Sequence, residues 1–168
     1  MARTYEPIAQ QTLSGAAASV TFSSIAATWQ DLVVTYSLSE STGNVRSLFL
    51  RFNADSGTNY SGTYLYGSGS AAGSGRLSSE AYIRLGRYHN INGNLIGAGH
   101  LMSYSSTSVF KTVLNVVANQ SDTSNPGVSR EVGLWRSTAA VTSVEFIAGS
   151  PAQFAIGSTF ALYGIKAA

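Results

Sequence analysis

His89 and His100 are the only histidines, and neither lies at ligand spacing from another histidine, a cysteine or a paired carboxylate. The chain has no cysteine, which removes thiolate ligands, thiol nucleophiles and disulfides together. Its acids are Glu6, Asp31, Glu40, Asp55, Glu80, Asp122, Glu131 and Glu145, and they show no pairing that suggests glycosidase chemistry. Serine is abundant, at 26 residues, but there is no G-x-S-x-G elbow. A nucleophile also needs a positioned base. Asn53-x-Asp55-x-Gly57-x-Asn59 has the outline of a calcium loop, yet Tyr64 occupies the twelfth place, where the closing Glu belongs. A plain turn is the better reading. The expectation is a protein with no catalytic residues, no metal and no cofactor.

The aromatic residues suggest contact rather than catalysis. Tyr60, Tyr64 and Tyr66 share one parity, and Tyr82, Arg84 and Tyr88 share a face opposite Ile83 and Leu85. Tyrosine beside arginine is the composition of interface hot spots and of sugar-stacking platforms. Cross-strand tyrosine ladders that merely cover a sheet account for the pattern equally well. Trp135 has the parity opposite to Val132 and Leu134, so it fills a second layer or sits at a subunit contact. Near the start, Tyr5, Pro7 and Ile8 form a further contact candidate. Pro7 forbids a central-strand position, which makes residues 1–13 an edge strand or an extended arm that adds to a neighbouring chain.

The elements that must position these residues are strands. Residues 131–136 and 141–147 read as two strands joined by the short corner 137–140, a hairpin. Alternating or apolar runs recur at 18–22, 32–38, 45–52, 60–66, 79–88, 95–104, 110–118 and 158–165, and Phe110, Leu114 and Val116 face together. Residues 26–31 carry the one weak helical signal, and 67–75, GSGSAAGSG, read as a mobile surface loop. About ten short antiparallel strands with turn signals between them predict an all-β fold, a single jelly-roll-like β-sandwich over 14–168.

A chain of 168 residues supports one core. Charged residues make up only 11% against 44% hydrophobic, so the polar surface rests largely on Ser and Thr, and much of it is expected to be covered by partners. The net charge of +2 comes from scattered residues, so no nucleic-acid footprint is expected. The N-terminus lacks a long apolar run, and no stretch reaches the ~18 apolar residues of a membrane helix. A soluble protein made in a cytoplasm, without membrane contact, is the expectation.

Tyr5-Glu-Pro-Ile, Val132-Gly-Leu-Trp-Arg-Ser-Thr-Ala-Ala-Val-Thr-Ser and Ser158-Thr-Phe-Ala-Leu-Tyr-Gly-Ile165 together resemble a family of tailed-phage and prophage virion proteins. Arg51-Phe-Asn-Ala-Asp-Ser-Gly-Thr-Asn-Tyr60 and Leu65-Tyr-Gly with its Gly/Ser run are similar to the same family. The resemblance implies a jelly-roll sandwich, homotrimeric, carried on a virion as a capsid decoration (cement) protein against the major capsid protein. Its alternative is a tail-fibre or baseplate part that binds a host surface glycan. It transfers no catalytic residue.

Overall fold

The computed structural model describes residues 5–38, 40–42, 48–68, 70–86, 95–119, 127–149 and 152–166. Among them there is no helix, and fourteen strands run in chain order. They are β1 (Tyr5–Thr12), β2 (Ser19–Phe22), β3 (Asp31–Leu38), β4 (Glu40–Thr42), β5 (Leu48–Phe52), β6 (Tyr60–Ser68) and β7 (Ala72–Glu80). Then follow β8 (Ile83–Arg84), β9 (Leu95–Met102), β10 (Lys111–Asn119), β11 (Gly127–Trp135), β12 (Val144–Ala148), β13 (Gln153–Phe154) and β14 (Thr159–Ile165). An eight-stranded sheet has the order β1-β14-β3-β9-β10-β11-β6-β7, and a four-stranded sheet has the order β2-β12-β5-β8. A two-stranded piece, β13-β4, accompanies them, and every pairing is antiparallel. The fold is all-β and sandwich-like.

Period-2 alternation explains the layering. On β3 the buried residues are Leu32, Val34, Tyr36 and Leu38; on β5 they are Leu48, Leu50 and Phe52; on β12 they are Val144, Phe146 and Ala148. Phe146 anchors one aromatic group, with ring centroids 5.0 Å from Phe160, 6.1 Å from Tyr36 and 6.3 Å from Phe22. Phe52, Tyr60 and Trp135 form a second, with Phe52 5.6 Å and Tyr60 6.2 Å from Trp135. Each such ring stabilises the fold by about 1.5–3 kcal/mol through burial alone.

Several expectations are corrected. Residues 131–136 and 141–147 do not form a hairpin: β11 belongs to the large sheet and β12 to the small one, so 136–143 crosses between layers. Lys111, fully buried, supports this crossing; its Nζ donates to Thr138 O at 3.2 Å and to Val109 O at 2.7 Å. Residues 26–31 form no helix: 27–30 are turn and bend, and Asp31 begins β3. Their backbone is held from outside, since Tyr104 Oη donates to Ala26 O at 2.7 Å and accepts from Trp29 N at 3.1 Å. Most of the Gly/Ser run is strand, because β6 continues to Ser68 and β7 begins at Ala72. Glycine is needed there for clearance: a Cβ on Gly75 would stand 2.2 Å from Tyr64 Oη, and one on Gly73 2.7 Å from the Tyr66 ring. Residues 79–88 are not one strand, since β7 ends at Glu80, a bend follows, and strand resumes only at Ile83–Arg84.

The Asn53–Asn59 loop is tied into the frame by its own polar atoms. Asn53, at φ 51°, accepts on Oδ1 from Thr142 N at 2.8 Å and from Ser143 N at 3.1 Å, fixing the crossing segment. Asp55 accepts from Gly57 N at 2.9 Å, from Asn59 Nδ2 at 3.0 Å, and from Trp135 Nε1 at 2.7 Å. These bonds, that from Asn59 foremost and that from Trp135 next, hold the Asp55 carboxyl below its ordinary range. The anchor is therefore intact above the range of an unfolded aspartate and weakens as pH falls below it.

Two substitutions test this account by urea denaturation. Asp55→Ala strips the acceptor from a largely buried indole N–H and is expected to cost about 2 kcal/mol. Gly97→Ala places a Cβ 2.3 Å from Tyr36 Oη. The overpacking should cost about 1–3 kcal/mol. An unchanged midpoint in either variant contradicts the corresponding contact.

Candidate interaction surface

Tyr64, Tyr82 and Arg84 meet at one edge of the sandwich, where β8 ends the small sheet and the large sheet runs on through β6 and β7. Leu77, Glu80 and Glu131 complete this mouth. Tyr82 stacks on Phe49 at 3.8 Å between centroids, and the Arg84 guanidinium lies 5.3 Å from the same Phe49 ring. The free space inside is about 10 Å³, room for one water and not for a sugar ring.

Behind the mouth lies a buried polar row. Pairing register aligns Val34, Gly99, Asn115, Glu131, Tyr64 and Gly75 across the inner face of the large sheet. Asn115 Nδ2 donates to Glu131 Oε2 at 3.0 Å and to Leu85 O at 2.8 Å, while its Oδ1 accepts from Tyr36 Oη at 3.0 Å. Ser129 Oγ donates to Glu131 Oε1 at 3.0 Å. Burial pushes the Glu131 carboxyl up to about 7, only partly opposed by the Asn115 and Ser129 hydrogen bonds and by Arg84. Glu131 is an acid of altered strength, but its partners are structural. Among the described residues no three His, Asp or Glu side chains converge as a metal site.

The opposite face of the large sheet is of another character. Leu65, Leu114, Val116, Val128 and Val132 are 60%, 44%, 44%, 57% and 47% exposed. Register makes them neighbours: Leu114 pairs with Val132, Val116 with Arg130, Arg130 with Leu65, and Ala118 with Val128. A groove of about 380 Å³ opens beside them, lined by Ser61, Thr63, Arg76, Val132, Leu134 and Arg136. Aliphatic side chains thus point to solvent while Lys111, Asn115, Ser129 and Glu131 point inward on the same two strands.

The remaining contact candidates are dispersed. Tyr5 and Pro7 are exposed and Ile8 is half-buried on β1, the outer edge of the large sheet, paired with β14 of its own chain. Tyr60 and Tyr64 face inward and are buried, and Tyr66 lies 6.3 Å from Tyr64, so that tyrosine row is not an outward stripe. Trp135 fills the second layer. Tyr88 lies outside the described residues. Sequence reasoning noticed that Phe110, Leu114 and Val116 face together but did not see that they face outward. The available signal was that β10 is apolar on both parities, with Val113 and Val117 on one and Leu114 and Val116 on the other, the habit of strands covered on two sides. The chain matches no family model, and no curated protein matches it.

Glu131 gives a pH test. An unfolded glutamate releases its proton near 4.5, whereas folded Glu131 keeps it to about 7. The Glu131 contribution to stability should therefore be fully present below 4.5, fall as pH rises between these values, and level off above 7, a span on the order of 3 kcal/mol. Glu131→Gln should flatten this segment of the curve. A wild-type profile already flat there in urea melts refutes the assignment.

Proposed function

We propose that this chain is a structural protein of a phage virion, a capsid decoration protein that stabilises the shell through contacts with the major capsid protein. The observation that carries the reading is the exposed aliphatic face of the eight-stranded sheet, a surface suited to contact area. The resemblance of the Tyr5, Val132 and Ser158 segments to tailed-phage virion proteins supplies the setting. In this reading the sandwich is of jelly-roll type, acts as a homotrimer, carries out no catalysis and touches neither nucleic acid nor membrane. It works by linkage: binding the assembled shell better than free subunits shifts the shell toward its intact state, and many weak copies add through multivalency.

A second reading, a tail-fibre or baseplate part that holds a host glycan, draws support from Tyr82 and Arg84 gathered on Phe49 at the sandwich edge. With a water-sized space in that mouth, a glycan would have to lie across it. Copy number separates the two. Densitometry of purified virions is expected to show on the order of hundreds of copies, as multivalent shell binding needs. A few to a few dozen copies moves the protein to the tail.

A further inference from the structure

The exposed aliphatic face carries arginine. Arg76 and Arg136 line the 380 Å³ groove beside Val132 and Leu134, and Arg130 stands between Leu65 and Val116. None of the three forms an ion pair with another described residue. On this face the described carboxylate is Asp31, bound to His100 at 3.1 Å and to Ser103 N at 2.8 Å. We propose that this face docks a partner protein whose own surface is aliphatic at its centre and bears carboxylates, one of which enters the groove between Arg76 and Arg136.

Charge accounting selects that occupant. A second copy presenting the same face would set arginine against arginine. Among the described residues a second copy presenting another face has few carboxylates to give: Glu6 is held by Lys166, Glu145 by Arg51, Asp55 by Trp135 and Asn59, Glu131 is buried, and Glu80 is half-buried in the mouth at the sandwich edge. Single-stranded nucleic acid would stack on aromatic rings, whereas the groove around Arg76 and Arg136 is lined by Leu, Val, Ser and Thr and holds no ring. An apolar centre with arginine beside it is the composition of a protein interface, and a bidentate guanidinium–carboxylate pair would fix its register. The proposal deepens the contact role given above and rests on it only in taking the partner to be a protein.

The test is site-specific photo-cross-linking of the full chain in the cells that make it. Benzoyl-phenylalanine is placed at Val132, or at Thr21 on the outer side of the small sheet as control, and the joined segment is sequenced. The expected result is a product at least tenfold stronger from 132 than from 21, joined to a protein segment with Asp or Glu among aliphatic residues. Arg76→Glu with Arg136→Glu should lower the yield at least tenfold, and Arg76→Lys with Arg136→Lys should retain most of it. Thermal melts of both pairs verify that the chain still folds. A product joined to a second copy, to nucleic acid, to lipid or to a basic segment overturns the proposal, as does equal labelling from 21 or no product at all. Loss of the virion reading by copy number, with the acidic segment still labelled, leaves this inference standing.

Discussion

Everything in this molecule follows from a mismatch of widths: an eight-stranded sheet is covered on its inner side by a four-stranded one. Where the two overlap, the interior is aliphatic and aromatic, built from Leu32, Val34, Leu50, Phe146, Phe160 and Leu162. Where the small sheet stops at β8, whose Ile83 covers Gly133 of β11, the large sheet runs on through β6 and β7. Hydrophobic burial between sheets cannot fill that region, and the chain fills it otherwise. Tyr64 and Tyr66 lie over Gly75 and Gly73, and beside them Glu131 joins Asn115, Ser129 and Tyr36 in a row of hydrogen bonds that ends on Leu85 O. A buried polar group without a partner costs about 1–3 kcal/mol, so such a row is stable only when its members satisfy each other.

The same shortage of cover places demands on the connections. The chain changes sheets repeatedly, and among the described residues two of the crossings, 23–30 and 136–143, are fixed by side chains rather than by a helix. Tyr104 Oη holds the 26–29 turn, Asn53 holds 140–143, and Lys111 holds 138. Replacing regular structure with single polar anchors makes the crossings sensitive to individual substitutions. Burial lowers the proton affinity of Lys111 below that of an exposed lysine, but its ammonium keeps two carbonyl acceptors.

The strands themselves were legible because alternation is a local property. Leu32, Val34, Tyr36 and Leu38 declare their face without reference to the rest of the chain. What escaped was non-local. The run 137–140 has hairpin length, yet Val144 pairs with Phe22 and Phe52 rather than with β11. Gly73 and Gly75 read as flexible until Tyr66 and Tyr64 are seen above them. Ala26 to Asp31 carries a helical composition that Tyr104, 78 residues away from Ala26, overrides. Of the contact candidates, Tyr64, Tyr82 and Arg84 do reach a shared edge, while Trp135 was drawn inward by the core it helps to form.

Alternation reports that a strand has two faces; it does not report which one is covered. On β10 and β11 the apolar parity is Leu114, Val116, Val128 and Val132, and the usual rule would send these inward. Register overrules it, because Trp135, Val113 and Val117 occupy the other parity and belong to the core. Once those three are placed, the aliphatic set can only face out, with Lys111, Asn115 and Glu131 committed inward beside the core. A sheet face of this kind invites indiscriminate association, and charge set among the aliphatics is the ordinary protection against it. Arg130 between Leu65 and Val116, with Arg76 and Arg136 along the groove, gives every copy the same sign there. The arginines thereby discourage face-to-face pairing of the chain with itself while leaving the aliphatic centre open to a surface of opposite charge.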